Sequence, residues 1–398
     1  MASRDIVIYA GPAGTAYYDY GTQYAAFLRD KGLIVHVVET AGALDNLERL
    51  ASDSGAAVGF AQSGIEREAD DPDRLAELAG LASVAFEPFW VFVRRTDDIE
   101  SLKDLAGKRV AAGPLGNGSR AVALLLFADN GIKEDVEIAS FTHIKPEEVA
   151  LELTAGNIDA ACIVSARSDV VENLLDADTL VPLSLPRTAA YARRHPDLDE
   201  LVVPAGAFDV ARDLPSTDLN LVAPTTNLVG TGELHPAAVG VLLEAAKEIH
   251  RPASLFAPQQ TFPNTRHVSL PLSRAAVRYF ERGPNILHRF LPFRLAEILG
   301  WLVALLTPFA TAALFLFKAV PGLIQARFKM RLLGLYRRLE RIEKASPHAD
   351  AQTLLDELAT LERESGELNV PRALEAPFFE FRQNVHDVRD RISQTAHG

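Results

Sequence analysis

Two glycine-rich stretches carry the clearest chemistry in this chain. The first, AGPAGTAYYDYG at 10–21, sets Gly11, Gly14 and Gly21 between a short apolar run and an amphipathic one. The second, AAGPLGNGSRA at 111–121, sets Gly113, Gly116, Asn117, Gly118 and Ser119 in an equivalent place. Glycines between a strand and a helix leave backbone N–H groups exposed at the positive helix end, which favours an anion. Neither stretch has the G-x-G-x-x-G spacing of a dinucleotide site. Gly113 and Gly118 have Walker-like separation, but Ser119 and Arg120 stand where Lys and Ser/Thr belong. Nucleoside triphosphate hydrolysis is therefore not expected. Arg120 either clamps a carboxylate through paired N–H groups or is an ordinary solvated helix residue.

Two further polar clusters share this placement. ETAGALDNL puts Thr40 and Gly42 before a helix with Asn46 in its first turn, and GFAQSG ends a strand with Gln62, Ser63 and Gly64. In open α/β sheets the ligand crevice lies beyond the carboxyl ends of the strands. Each cluster also reads as plain capping and turn chemistry; together they favour a small polar or anionic solute. Glu87, in SVAFEPFWVFVRR, is the one carboxylate in a strongly apolar setting. It is either a desolvated ligand-reading acid or a turn residue before Pro88. Tyr17, Tyr18 and Tyr20 are large groups that seek half-burial and a hydrogen-bond partner.

The inventory for catalysis is poor. His36, His143, His195, His235, His250, His267 and His288 show no metal-ligand spacing, and neither G-x-S-x-G nor H-E-x-x-H occurs. Cys162 is the sole cysteine and reads as a small buried hydrophobe. No cofactor is implied. A net charge of −13 argues against nucleic acid as partner.

Positioning these clusters requires alternating strands and helices. DIVIYA, LIVHVVET and AAVGFAQ read as strands, with helices over Thr22–Lys31 and Leu44–Asp53. A second series follows: KRVAAGP, VEIASFT and IDAACIV as strands, with helices over Ser119–Asn130 and Glu147–Ala155. The likeness of the series predicts two α/β lobes of similar design, each with a largely parallel sheet. NLVAPTTNLV reads as a further strand, followed by the helix HPAAVGVLLEAAKEIH and a long Pro- and Gly-rich connection over 251–292. We divide the chain into lobe 1 (1–93 and 219–292), lobe 2 (94–218), a membrane helix (295–320) and a helical tail (321–398).

Ile298–Phe317 holds no charged residue. At ~1.5 Å per residue such a run reaches roughly 30 Å, the thickness of a hydrocarbon core. A lipid bilayer is thus an expected partner of 298–317. Basic residues after the span outnumber those before it, which places the tail in the cytoplasm. The tail's apolar spacing predicts an antiparallel helical hairpin. MASRDIVIYAGP enters a strand at once, with no secretory signal in view.

The blocks IVIYAGPAGTAYYDYG, ETAGALDNLERLASDSGAAVGFAQSG, FEPFWVFVR, LAGKRVAAGPLGNGSR and LTAGNIDAACIV resemble the signature blocks of TAXI proteins. These are the solute-binding subunits of TRAP (tripartite ATP-independent periplasmic) transporters. The resemblance covers about Asp5 to His250. It implies a type II periplasmic-binding-protein fold with two lobes, a two-stranded hinge and a small carboxylate, glutamate-like or a 2-oxoacid, in the cleft. It implies a TRAP permease as partner. Carried over by motif, the ligand-binding residues are Gly14, Tyr17, Thr40, Gly42, Asn46, Gln62 and Ser63 in lobe 1. In lobe 2 they are Gly116, Asn117, Gly118, Ser119 and Ser165. Family members usually begin with a secretion signal and end without a membrane span. The expectation is an upstream signal or anchor and an extracytoplasmic cleft. A ligand sensor signalling through the span is the alternative, and an enzyme on the same fold a third reading.

Overall fold

The computed structural model describes residues 5–114, 116–132, 137–139, 146–166, 168–232, 234–283, 293–346 and 349–396. His143, His288 and the segment 284–292 lie outside the described residues, as does most of the VEIASFT run. The chain divides into two units, 1–299 and 300–398.

The first unit begins with β1 (Asp5–Tyr9), α1 (Ala16–Asp30), β2 (Ile34–Val38), α2 (Ala43–Ser52) and β3 (Ala57–Gln62). β4 (Ala79–Phe86) and β5 (Phe89–Arg94) follow in direct succession. Next come β6 (Arg109–Ala111), α3 (Gly118–Asp129), β7 (Glu137–Ala139), α4 (Pro146–Thr154), β8 (Ala160–Val164) and α5 (Ser168–Leu175). β9 (Leu180–Pro182), α6 (Thr188–Arg194), β10 (Leu198–Val203), β11 (Leu219–Gly230), α7 (Pro236–His250) and α8 (Arg274–Arg282) complete it.

The two lobes repeat one strand order. Lobe 1 runs β2-β1-β3-β11-β4 and lobe 2 runs β7-β6-β8-β5-β9. In each, β1 or β6 is flanked by parallel neighbours. An antiparallel strand, β11 or β5, then lies between the parallel set and the last strand. This is the type II periplasmic-binding-protein arrangement, as expected from the resemblance.

Strands buried on both faces must be apolar on both, since helices cover each side. In lobe 1, Ile6 and Ile8 meet α1 and α7, while Val7 and Tyr9 turn toward Leu47 and Leu50 of α2. In lobe 2, Phe89, Val91 and Val93 pack with α3, and Trp90 and Phe92 pack with α4 and α5. Cys162 is fully buried in β8, and burial pushes its thiol up.

Two segments cross between lobes. β4 passes into β5 through Glu87 and Pro88, and the long β11 changes partners at Pro224. Its first half pairs with β10, its second half with β3 and β4. The Glu87 N–H donates to Pro224 O at 2.9 Å and ties the crossings side by side.

Three expectations need correction. α1 begins at Ala16, not Thr22, so Tyr17, Tyr18 and Tyr20 lie in the helix rather than in a turn. Gly21 is helical too: a Cβ there would lie 2.8 Å from Ala10 Cβ, so glycine permits the close approach of α1 to its strand. The stretch after His250 is not all connection, because it contains α8.

One continuous helix runs Phe293–Ala345, from the last residues of the first unit into the second, and contains the uncharged run, with Pro308 accommodated inside it. Among the described residues it is the one helix long and apolar enough to cross a membrane, with mean hydropathy 1.5 over its most apolar 18-residue window, none of it buried. Phe309, Leu314, Phe315, Leu316 and Phe317 are exposed on several sides of it. Its far end joins two more helices, Ala351–Gly366 and Glu375–Ala396, around Leu335, Leu358, Leu361 and Phe381. The expected hairpin is thus a three-helix arrangement. The third helix shows Phe378, Phe381, Val385, Val388 and Ile392 at helical spacing, a signal the two-helix reading of the tail did not use.

Candidate functional site

The glycine turns lie at the carboxyl ends of β1 and β6. Gly11 (φ +78°) and Gly14 (φ +81°) turn the chain into α1; Gly113 (φ +88°) and Gly116 (φ +76°) turn it into α3. All four adopt the left-handed conformation that other residues resist. A Cβ at Gly14 or Gly42 would meet nothing within 4 Å, so the space beside both is open.

Lobe 1 spends most of its site polarity on itself. Thr40 Oγ1 accepts from Gly11 N at 2.9 Å and donates to Asn46 Oδ1, and Asn46 Nδ2 donates to Phe60 O at 2.7 Å. This buried chain fastens the ends of three strands to α2. Ser63 Oγ accepts from Thr225 N at 2.9 Å and donates to Asp197 O at 2.8 Å. Tyr17 is buried against Phe60, and its hydroxyl donates to Glu87 Oε1 at 2.7 Å. Thr226 Oγ1 donates to the same oxygen at 2.6 Å. Glu87 therefore sits in the first hinge crossing, held by one residue from α1 and one from β11. Burial raises its pKa to about 6, against the lowering effect of the Thr226 and Tyr17 bonds.

Lobe 2 is arranged differently. Asn117 caps α3, its Oδ1 accepting from Ser119 N at 2.8 Å. Ser119 Oγ accepts from Val164 N at 2.9 Å and joins α3 to the end of β8. Ser165 N–H donates to Pro88 O at 3.2 Å, beside the hinge. Arg120 is half-buried, and its Nε is buried without a hydrogen-bond partner. It is neither freely solvated nor paired among the described residues.

The lobes touch at these ends. Gln62 Nε2 at the end of β3 donates to Gly118 O at 3.3 Å, and Gly116 packs beside Leu44 of α2. A Cβ at Gly118 would overlap the Gln62 amide, so any other residue there would displace that side chain from this contact. The structure thus gathers Gly11, Thr40, Gly42 and Asn46 into one cluster, Asn117, Ser119 and Ser165 into another, and joins the two through Gln62 and Gly118.

Sequence reasoning missed the polar lining of the second crossing. Thr225, Thr226 and Asn227 are all buried; Asn227 Nδ2 donates to Thr225 Oγ1 and to His267 O. Three consecutive polar residues inside the apolar strand NLVAPTTNLV were the available signal. Arg67 and Asp197 form an ion pair between the segment after β3 and the start of β10.

Solved structures of binding proteins show partial similarity. The periplasmic aliphatic sulphonate binding protein SsuA from Escherichia coli is 19% identical, with a TM-score of 0.35. The match covers 49% of this chain and 65% of SsuA, so this chain spans just under two thirds of that protein's length. MatC from Rhodopseudomonas palustris, solved with bound malate, is 15% identical with a TM-score of 0.41, covering 63% of this chain and 85% of MatC. The alkanesulfonate-binding SsuA from Xanthomonas axonopodis pv. citri, bound to MOPS, is 16% identical with a TM-score of 0.37, covering 63% and 76%. A family model matches residues 8–283, both lobes from β1 to the end of α8. The chain belongs to the NMT1-like family.

Proposed function

We propose that this protein binds a small carboxylate in the cleft between its lobes and is not an enzyme. The observation that carries the reading is Arg120, whose Nε is buried and unpartnered two residues from the Gln62–Gly118 contact between lobes. A buried cationic donor without a partner is costly unless a ligand supplies one. On the opposite lobe the first turn of α1 has no side-chain cap and supplies its own neutral N–H donors, while in the turn before it Ala13 N–H donates to Glu39 Oε1 at 2.8 Å. Gly14, Tyr17, Thr40, Gly42, Asn46, Gln62, Ser63, Gly116, Asn117, Gly118, Ser119 and Ser165 build this site. Their parts differ: Thr40, Asn46, Tyr17 and Ser119 hold the turns in shape, while the glycine turns and Gln62 line the approach.

The finer reading follows the sequence blocks. The chain is a TAXI-type solute-binding subunit, its solute a glutamate-like amino acid or a 2-oxoacid, its partner a TRAP permease. The helix Phe293–Ala345 anchors it in the inner membrane, with the cleft outside and the tail in the cytoplasm. The uncharged part of that helix, whose most apolar stretch is unburied, supports lipid contact.

Native mass spectrometry of the full chain released from detergent tests the reading. One small carboxylate per chain, lost on denaturation, is the expected result. No adduct, either as purified or after incubation with a panel of dicarboxylates, amino acids and 2-oxoacids, overturns it.

A further inference from the structure

α8 presents Arg274, Arg278 and Arg282 at four-residue spacing, so the three share a face, and all are exposed. The opposite face is committed: Ala276 is fully buried, and Ala275, Tyr279 and Phe280 pack against the lobe 1 core. Beside it at the end of α7, Lys247 and the C-cap residue Arg251 are also one turn apart. They line a cavity of about 350 Å³ together with Phe262, Tyr279 and Phe280. Among the described residues, none of these five cations makes an ion pair or a side-chain hydrogen bond. Of the neighbouring acids, Glu244 accepts from Tyr279, Glu248 lies on α7 and Glu281 on α8.

This concentration runs against the rest of the chain. The net charge is −13, yet from Arg274 to Arg294 there are five arginines and one glutamate. The stretch ends where the apolar helix begins, with ten residues of chain between Arg282 and Phe293. A basic amphipathic helix next to a membrane span is suited to anionic headgroups, which attract Lys and Arg within a Debye length of the surface.

We propose that the arginine face of α8 forms a docking surface for anionic lipid headgroups, seating lobe 1 on the bilayer. The proposal rests on the reading of Phe293–Ala345 as a membrane anchor. Docking makes lobe 1 a body resting on the bilayer rather than one swinging on a tether.

The test uses the full chain in nanodiscs of phosphatidylcholine alone or with one third phosphatidylglycerol, followed by amide hydrogen exchange over 274–282. Exchange is expected to slow roughly tenfold in the anionic discs, given the attraction of three arginines to the surface. The slowing should vanish in the R274Q/R278Q/R282Q variant and at high salt. Equal exchange in both discs, with the chain incorporated, overturns the docking surface alone. Slowing reproduced by inorganic phosphate in the neutral discs also overturns it, since the site would then be one for soluble anions. A chain that stays monodisperse without lipid and enters no disc overturns the anchor reading and this proposal with it.

Discussion

The starts of α1 and α3 occupy equivalent places in the two lobes, yet the residues finish them in opposite ways. Thr15 stands at the N-cap of α1, but its hydroxyl donates back to Pro12 O and no side chain caps the first N–H groups. Asn117 stands at the N-cap of α3 and accepts from Ser119 N. α1 carries Asp19 in its first turn, whereas α3 carries Arg120 there. One topology thus yields two surfaces: lobe 1 offers a helix start without a side-chain cap, and lobe 2 offers a capped start with a half-buried cation beside it. The difference teaches that repeating a fold does not repeat the role of each position. Among the described residues each lobe leaves two buried polar atoms without a hydrogen-bond partner, Tyr24 OH and His250 Nε2 in lobe 1 and Trp90 Nε1 and Arg120 Nε in lobe 2, and of these four Arg120 alone stands in the first turn of a site helix.

The comparison can be broken most forcefully in the core of lobe 1. Phe60 is fully buried, with Tyr17, Tyr20 and Tyr24 packed around it. Phe60→Ala is expected to cost about 3–5 kcal/mol. Hydrogen exchange should show the loss in β1 and α1 while β8 and α3 keep their protection. Equal loss in both lobes would make them one cooperative unit and remove the distinction.

A second, smaller effect sits at the hinge. The folded-state pKa of Glu87, about 6, lies above the ordinary 4.5, so the folded protein holds this proton more tightly than the unfolded chain does. Its contribution is therefore complete below about pH 4.5 and is lost as pH rises through about 6, a change of about 2 kcal/mol. Glu87→Gln keeps an acceptor for Tyr17 and Thr226 and removes the titration. Denaturant melts at a series of pH values should show the wild type losing stability relative to the variant across that window. A constant difference would mean that the carboxyl is not desolvated in the hinge.

The smallest effect is the sharpest contrast between the lobes. Asn117→Ala should cost about 1 kcal/mol through loss of the cap. Thr15→Ala, at a position without a cap bond, should cost at most about half that. Thermal melts of the two variants measure both. The reverse order would place the capped helix end in lobe 1.

Much of this was legible because it is local. The glycine turns, the strand–helix alternation and the uncharged helix announce themselves within a few residues. The fold therefore followed from the spacing and the signature blocks together. What was not legible depends on distant partners. Nothing near Tyr17 shows that its hydroxyl meets Glu87, or that Thr226, 139 residues from Glu87, meets the same oxygen. Gly21 looks like a third turn glycine, whereas its place is set by how closely α1 approaches Ala10. α8 was hidden by the prolines around it, and its arginines were counted only as flanking charge.

Calorimetry of the full chain in detergent, titrated with L-glutamate and with 2-oxoglutarate, tests the central claim most directly. The account predicts saturable 1:1 binding of at least one of them, weakened about ten- to a hundredfold in Arg120→Gln at an unchanged melting temperature of the ligand-free protein. No saturable heat with either solute, or equal affinity in the variant, would contradict it.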